Sequence, residues 1–359
     1  MIAHPDPVPV GSQHVVALQA RRDFPSVSVL MATAPAARMS AEDRVRLRDL
    51  LDQAATRLCW SDHVDDPAPL VAALDAMTEA ATTSRTDRGL ALYAGRDLSC
   101  ALRLGVQVVD RVVIDQTFAT RDLVLALQRT PRHVVLVITD RTAQLYESVN
   151  GVLRGTGGRT FPLRAVDDRR PSGGPRTSSP PDFLQRVDRR LGAYRALHPS
   201  PLVLVGPAPV VTDFLTIARH AYRLAGTLSG DHADATPAAL AVLTRPIIQR
   251  YLASREQEAL ALVASRSAQG RVASGMQAAW LASRRERPEM LAVEETLFYP
   301  VRLSADGHTL QLSPDVDEPD VIDDAVDELI EHVLIRGGWV ALVGDGALAR
   351  HHGVALVRR

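Results

Sequence analysis

The sequence predicts an α/β protein of three domains, and three observations favour this class. The chain has 359 residues, more than the about 100–200 residues of one ordinary domain. Hydrophobic residues make up 46% of it and aromatic residues only 4%, as expected for a globular core filled by Ala, Val and Leu. Short apolar runs typical of strands alternate along the chain with amphipathic stretches typical of helices. Together these features predict sheets covered by helices.

The first predicted domain, residues 1–130, contains a strand, a helix and a set of paired strands. FPSVSVLMAT (24–33) alternates as a strand does. Ser40 and Asp43 have the spacing of a helix cap, which predicts a helix from there to about Trp60. The predicted apolar stripe of this helix consists of Val45, Leu47, Leu50, Leu51, Ala54 and Leu58. GLALYAG and CALRLGVQVVDRVVID then follow as paired strands, and nothing in this domain indicates a chemistry.

The second predicted domain, residues 131–230, begins with three antiparallel strands. HVVLVITD (133–140) is a continuous apolar run of the kind that is buried on both faces of a sheet. QLYESV and GVLRGTGGRTFPL lie on either side of Asn150-Gly151. That pair favours a tight hairpin turn, because both of its central residues need positive φ.

The rest of this domain is predicted to be a helix, a strand and a closing helix. The first helix begins within 179–182, where two prolines and Asp182 suit a first helical turn. Its apolar stripe consists of Phe183, Leu184, Val187, Leu191, Tyr194 and Leu197. PLVLVG (201–206) is the strand, and the closing helix is predicted over 207–226.

The third predicted domain, residues 231–359, begins within the turn-rich stretch TLSGDHADATPAAL, which is typical of a domain boundary. It is predicted to begin with helices over about 246–267 and 272–284. Strands in VEETLFYPVRL and HTLQL come next, then an acidic helix over 321–335. GGWVALVGDGALARHHGVALVRR closes the chain as two buried strands joined by a bend rich in Gly and His.

Composition excludes several classes of function. The chain has no lysine, so all 41 basic residues are arginine, which removes the lysine of a phosphate-binding loop and any Schiff-base chemistry. Cys59 and Cys100 are too few for a disulfide framework or a zinc ribbon. The start has no pattern of a secretory signal, and no run of 18 apolar residues predicts a membrane span. These features predict a cytoplasmic protein.

Charge is distributed unevenly although the net charge is formally -1. Between Arg154 and Arg195 the sequence contains ten arginines and four aspartates, a surplus of six positive charges. The segment from Asp315 to Glu331 contains only acids as charged residues. Such asymmetry indicates an anionic partner for one face of the molecule.

Four groups of residues resemble catalytic or ligand sites without completing one. Gly344-Asp345-Gly346 lacks the third glycine and the lysine of a nucleotide loop, and a turn explains it. His351 and His352 are adjacent, and adjacent residues of a strand point to opposite faces, which disfavours a shared metal; they are predicted to be solvated residues of the bend. A two-metal nuclease would need clustered carboxylates, and the acids considered for it are Asp140, Asp167, Asp168 and Asp213. Ser172 lacks the frame of a hydrolase elbow. No catalytic residue, metal or cofactor is predicted.

The order of these parts resembles the archaeo-eukaryotic class-one release factors and their Pelota relatives, especially the bacterial branch of that family. The resemblance rests on RHVVLVITDRTAQLYESVNGVLRG, PLVLVGPAPVVTDFL, TLSGDHADATPAAL and GGWVALVGDGALARHHGVALVRR. It covers most of the chain from about Pro131. It implies a ribonuclease-H-like middle domain and a C-terminal α/β domain similar to a small RNA-binding ribosomal protein.

In release factors of this family, a Gly-Gly-Gln loop precedes a long basic helix of the middle domain and places its glutamine at the peptidyl-tRNA ester. RRPSGGPRTSSPP (169–181) occupies that location here. Gly173 and Gly174 match the two glycines, but Pro175 stands where the glutamine belongs. Proline has neither the side-chain amide nor a backbone N–H, so peptide release by the usual mechanism is expected to be absent. Family members without that glutamine are associated with ribosome rescue or with idle ribosomes.

The predicted function is therefore a non-catalytic factor that binds ribosomal RNA at the tRNA site, with a translation GTPase left open as a second partner and no role for membranes or DNA. Arginine side chains at the loop and on the following helix would contact phosphates. The predicted RNA-binding residues are Arg169, Arg170, Gly173, Gly174, Arg176, Arg186, Arg189 and Arg190. Three alternatives stay open: a passive linker at 169–181, an enzyme (peptidyl-tRNA hydrolase or metal-dependent nuclease), and a protein-interaction module that uses the acidic helix.

Overall fold

A computed structural model describes residues 2–61, 63–157, 160–165, 167–169, 175–177, 180–197, 200–313 and 321–359. The chain divides into two compact units, Thr130–Ser254 and a unit formed by Met1–Arg129 with Arg255–Arg359. The division into three domains at 130/131 and 230/231 stays a prediction. No helix of the described residues has the length and apolarity needed to cross a bilayer.

The N-terminal part of the larger unit is a five-stranded sheet with helices on it. Its elements are β1 (Ile2–Pro9), α1 (Ser12–Gln19), β2 (Ser26–Ala32), α2 (Ala41–Trp60), α3 (Ala68–Thr83), β3 (Gly89–Gly95), β4 (Leu98–Leu104), β5 (Arg111–Asp115) and α4 (Arg121–Arg129). The strand order is β1-β4-β3-β2-β5, with only β1 and β4 parallel. Apolar residues of α2 and α3 pack on one face, and α1 and α4 contribute to the core on the other.

In this N-terminal part, the local sequence signals correctly predicted the elements that they mark. Ser40 caps α2 by accepting a hydrogen bond from the backbone N–H of Asp43, as predicted. Five of the six residues predicted for the apolar stripe of α2 are buried, but Val45 is exposed, so its assignment was wrong. The amphipathic helix α3 was not anticipated, because no capping residue marks its start.

The smaller unit contains the middle sheet. Its elements are β6 (His133–Ile138), β7 (Thr142–Val149), β8 (Val152–Gly155), β9 (Leu163–Arg164), β10 (Asp167–Arg169), β11 (Pro175–Thr177), α5 (Pro180–Leu197), β12 (Leu202–Gly206), α6 (Ala208–Ile217), β13 (Leu224–Ser229) and the first part of α7 (Pro237–Ala268). The strand order is β13-β12-β6-β7-β8. β6, β12 and β13 are parallel, whereas β7 is antiparallel to β6 and β8.

This order is that of a ribonuclease-H-like sheet. β6, β7 and β8 form an antiparallel meander, and β12 and then β13 are added in parallel on the other side of β6. Helices α5 and α6 cover one face, and the first part of α7 covers the other. Because both faces are covered, all six residues of β6 are buried. The predicted α/β class and the ribonuclease-H-like middle domain are confirmed by this topology.

In this unit the predicted hairpin turn is confirmed, whereas the predicted closing helix is partly wrong. Asn150 and Gly151 have φ of 50° and 77°, so the predicted hairpin turn is confirmed. The helix predicted over 207–226 ends at Ile217, and Leu224–Ser229 forms a fifth, edge strand instead. Arg223 has a φ of 52°, a left-handed conformation that a helix cannot continue through.

The C-terminal part of the larger unit is a sheet between two helical layers. Its elements are the second part of α7, β14 (Val272–Ser274), α8 (Met276–Arg285), β15 (Pro288–Glu294), β16 (Val301–Leu303), β17 (Leu310–Leu312), β18 (Val321–Ile322), α9 (Ala325–Ile335), β19 (Trp339–Val343), a 3-10 turn (Ala349–His351) and β20 (Val354–Arg358). The main sheet has the order β14-β20-β15-β19, and β17-β16-β18 form a small second sheet. Helices α8 and α9 pack on one face of the main sheet and α7 on the other.

Three predicted helix starts in this part were wrong. The helix predicted over 272–284 begins at Met276, because Val272–Ser274 forms β14. Pro246 was expected to begin a helix, but α7 begins at Pro237 and runs through Pro246. The acidic helix begins at Ala325 rather than at 321, because Asp324 caps it by accepting a hydrogen bond from the N–H of Val326.

Polar contacts join the N-terminal and C-terminal parts within the larger unit. The Arg121 guanidinium donates to Asp324 at 2.8 Å and to the carbonyls of Glu295 and Leu297, and the Arg121 backbone N–H donates to Asp327 at 2.5 Å. On the same helix, Glu331 accepts from Arg22 at 2.6 Å and Glu328 accepts from Thr117 at 2.7 Å. The acids of α9 are therefore engaged inside the chain.

The Gln128 side chain makes a second contact between these parts, at the edge of the main C-terminal sheet. Its amide nitrogen donates to the carbonyl of Val340 at 2.8 Å, and its amide oxygen accepts from the N–H of Leu342 at 2.9 Å. β19 pairs with β15 on its other side. One side chain thus satisfies two backbone groups of an edge strand, as a neighbouring strand would.

Asp115 at the end of β5 is expected to make stability depend on pH. Burial raises its pKa from 3.8 to about 6, with a further increase from the Glu328 charge. A carboxyl whose pKa is raised on folding contributes stability below pH 4, and this contribution is lost as pH rises through 6. We expect Asp115→Asn to raise the free energy of unfolding by about 1–2 kcal/mol at pH 8 and by little at pH 4. Melting temperatures of both proteins across that range check this. Asp49→Asn on the exposed face of α2 is the control for the loss of one carboxylate at the surface.

Candidate functional site

The segment in the place of the Gly-Gly-Gln loop contains a short antiparallel hairpin. β10 and β11 pair with Asp167 opposite Thr177, Asp168 opposite Arg176 and Arg169 opposite Pro175. Of the predicted RNA-binding residues, Arg169 and Arg176 therefore lie on neighbouring strands. Arg170, Gly173 and Gly174 lie outside the described residues. Pro175, at the position of the missing glutamine, is the first residue of β11.

Helix α5 follows this hairpin and is fixed by its apolar face. Phe183, Leu184, Val187 and Leu191 are buried against the middle sheet and α6, as the apolar stripe predicted. Tyr194 continues the stripe at the edge of the sheet, where burial and the nearby Glu147 raise its pKa to about 12. This packing determines which residues of α5 face outward.

The predicted arginines of α5 differ in exposure. Arg189 and Arg190 are exposed, and neither has a carboxylate partner among the residues with described side chains. Arg186 is half-buried: its guanidinium lies over the Phe183 ring, 5.4 Å from the centroid, and donates to the carbonyl of Arg164. Arg189 and Arg190 are thus available to an anionic partner, whereas Arg186 also packs on the protein.

Two charged residues of α5, Asp188 and Arg195, are buried, which their sequence does not indicate. Asp188 accepts hydrogen bonds from the N–H groups of Arg219 and His220 and from the His220 ring, the last at 2.9 Å. Arg195 has no exposed surface; it donates to the carbonyls of His220 and Ser200 and lies 3.9 Å from the centroid of the Tyr222 ring. Arg195 is therefore one of the ten arginines counted between Arg154 and Arg195, but its charge is not at the surface.

The described residues of the groups considered as catalytic sites lie on separate elements and in turns. Asp345 accepts a hydrogen bond from Thr296 within an exposed turn. His351 and His352 lie in the bend between β19 and β20, as predicted: His351 ends a 3-10 turn and pairs with Ser274 at 2.8 Å, and His352 has a φ of 51°. Asp213 is exposed on α6, and Asp140 lies 3.9 Å from Arg141. Across the described ranges, no three His, Cys, Asp or Glu residues are grouped as a metal site.

The middle of the chain is similar to one protein family. Residues 132–287 match the model of bacterial archaeo-eukaryotic release factor family 3. No curated protein is significantly similar to the chain.

Solved structures of similar proteins include archaeal and yeast examples. A model of ribosome-bound archaeal Pelota with ABCE1 matches with a TM-score of 0.46 and 14% identity, over 98% of this chain and 94% of that one. Dom34 of S. cerevisiae matches with 0.43 and 11%, over 75% and 79% of the two chains. The archaeal termination factor aRF1 matches with 0.26 and 13%, over 97% and 96%.

The family match begins at Arg132 and spans the middle sheet, the hairpin, α5 and the whole of α7. The resemblance to the bacterial branch that the sequence predicted is confirmed: residues 132–287 of this chain match the model of bacterial archaeo-eukaryotic release factor family 3.

Proposed function

We propose that this protein is a cytoplasmic, ribosome-associated translation factor that binds ribosomal RNA at the tRNA site, in rescue or hibernation, and performs no chemistry there. The observation that supports RNA contact is the exposed pair Arg189 and Arg190 on α5, directly after the hairpin that replaces the Gly-Gly-Gln loop. Guanidinium groups bind phosphate through two parallel hydrogen bonds, and their charge attracts RNA whatever its sequence. A translation GTPase remains a candidate second partner through the family resemblance.

Pro175 is the basis for proposing that the factor is not an enzyme. A residue that directs water onto the peptidyl-tRNA ester needs a hydrogen-bonding group at that place, and proline has no donor there. Its position opposite Arg169 in the hairpin also fixes its backbone in an extended conformation. The purified protein is expected to release no labelled nascent peptide from ribosomes above background.

The alternative of an acidic interaction helix has less support. A basic partner would need the carboxylates of α9 at the surface. Asp324 and Glu331 are buried, and both pair with arginines of the N-terminal part. A carboxylate that is already paired and desolvated offers little to a second partner.

Co-sedimentation with purified ribosomes at low and moderate salt tests the proposal. We expect the double variant Arg189→Glu/Arg190→Glu to bind at least about tenfold more weakly than the wild type, and the slope of log affinity against log salt to fall by about 2. The matched control is Arg245→Glu/Arg250→Glu, which reverses two exposed arginines of α7 in the same unit.

Equal loss of binding in the two double variants would mean that overall charge, and not this surface, governs association. Failure of the wild type to co-sediment at either salt concentration would contradict the proposal as a whole. Release of peptide by the wild-type protein would favour the hydrolase alternative.

A further inference from the structure

We propose that the segment Arg219–Arg223, which joins α6 to β13, is a contact site for single-stranded RNA, with Tyr222 stacking on a base and Arg219 and Arg223 binding phosphates. The inference deepens the proposed function, because it assigns RNA contact to a second surface of the middle sheet's unit. The sequence of the segment is RHAYR, which was predicted to be part of a helix.

The segment is held in place by buried polar groups of α5. Asp188 binds the backbone N–H of Arg219 at 3.2 Å, the N–H of His220 at 3.0 Å and the His220 ring at 2.9 Å. A Cβ atom at Gly192 would lie 2.5 Å from the His220 ring, so glycine allows the close approach. A platform fixed in this way loses little conformational entropy when a ligand binds.

Tyr222 has the geometry of a stacking platform. Arg195 covers its ring, with the guanidinium carbon 3.9 Å from the centroid, and Arg195 itself is buried with two hydrogen bonds to carbonyls. The Tyr222 residue nevertheless keeps 45% of its surface exposed. An aromatic ring that is supported from one side and open to solvent is the arrangement on which proteins stack unpaired bases.

The charges around this ring favour a phosphate ligand. Arg219 and Arg223 are exposed, and neither has a carboxylate partner among the residues whose side chains are described. The buried Arg195 adds a third positive charge, and Arg223 is close enough to lower its pKa further, beyond the effect of burial. The Asp188 carboxylate lies beside this segment, and both of its oxygens accept hydrogen bonds from Arg219 and His220. Alternating arginines and an aromatic ring match the alternation of phosphates and bases in a single strand.

The backbone of Arg223 provides a variant that removes charge without strain. Its φ is 52°, and its carbonyl accepts a hydrogen bond from the N–H of Leu202 at 3.0 Å. Asparagine tolerates this left-handed conformation better than most residues, so Arg223→Asn keeps the turn. Tyr222→Phe keeps the ring, and Tyr222→Ala removes it.

Fluorescence anisotropy of a labelled oligouridine with the full-length protein tests the site. We expect Tyr222→Ala to weaken binding by about tenfold or more, and Tyr222→Phe to bind within about twofold of the wild type. Arg223→Asn should weaken binding by about threefold and lower the salt slope by about 1. The control Arg154→Gln removes one exposed arginine of β8 in the same unit and should change affinity by less than twofold. Thermal unfolding of each variant verifies that it is folded.

The inference is overturned if folded Tyr222→Ala binds oligouridine as the wild type does, if the wild type does not bind it, or if polyglutamate competes as well as unlabelled RNA. The last result would indicate an acidic protein as partner. The ribosome experiment has a separate outcome. If the wild type co-sediments with ribosomes and Tyr222→Ala binds oligouridine normally, the proposed function is supported and this RNA site is refuted. Conversely, if oligouridine binding depends on Tyr222 but the wild type does not associate with ribosomes, this RNA site is supported and the proposed function is refuted.

Discussion

Replacing Arg121 by methionine is expected to lower the free energy of unfolding of the larger unit by about 3–5 kcal/mol. Arg121 is 8% exposed and its partner Asp324 is 3% exposed, so the pair is shielded from water. Methionine fills much of the same volume but leaves the Asp324 carboxylate and the carbonyls of Glu295 and Leu297 without this donor. Unfolding by urea, followed by circular dichroism, measures the change.

The loss should be specific to the buried pair. Burial raises the pKa of Asp324, and Arg121 counteracts that increase, so the variant carboxyl should take up a proton more readily. The double variant Arg121→Met/Asp324→Asn should therefore be less destabilised than the sum of the single variants. Arg38→Met, at an exposed arginine of the same unit, is the control. A loss below about 1 kcal/mol for Arg121→Met would show that the pair contributes no more than a surface ion pair.

Gly206→Ala is expected to destabilise the smaller unit by about 3 kcal/mol, or to prevent its folding. Gly206 ends β12 beside β6, and an added Cβ would lie 2.3 Å from the carbonyl oxygen of Ile138. The obstacle is backbone in a sheet covered on both faces, so it cannot move aside as a flexible side chain can. Hydrogen exchange of the β6 and β12 amides would report the effect on this sheet in particular.

The matched control is Gly155→Ala in β8 of the same sheet. There the nearest atom to an added Cβ is in the Gln144 side chain at 3.5 Å, an ordinary contact. We expect a change within about 0.5 kcal/mol. Similar effects at both positions would refute the steric explanation, because they would indicate that any alanine weakens a strand here.

Local signals in the sequence were enough to predict the elements that they define. The cap of α2, the buried run of β6 and the Asn150-Gly151 turn each depend on neighbouring residues, and all three were predicted correctly. β13 was missed because LAGTLS contains a glycine and is only half-buried, so its apolar pattern is weak. It becomes a strand through its parallel pairing with β12, which sequence periodicity does not reveal.

The environment of charged residues was the least predictable feature. The acidic helix suggested a surface for a basic partner, but Asp324 at its start binds Arg121, which lies about 200 positions earlier in the sequence. On α5 the apolar stripe was correct, whereas Asp188 and Arg195 are buried by a segment that was predicted to be helical. Only one part of the candidate surface could therefore be predicted from the sequence: helix α5 was predicted, and the irregular Arg219–Arg223 segment beside it was not.

The Gln128 amide has a consequence for any shortened form of this protein. A strand with free N–H and C=O groups is a template for pairing with other chains, and native proteins cover such edges. Here the cover for β19 comes from α4, more than 200 residues away in the sequence. A fragment without its first 130 residues would expose the N–H and C=O groups of β19, and we expect such a fragment to self-associate through this strand edge.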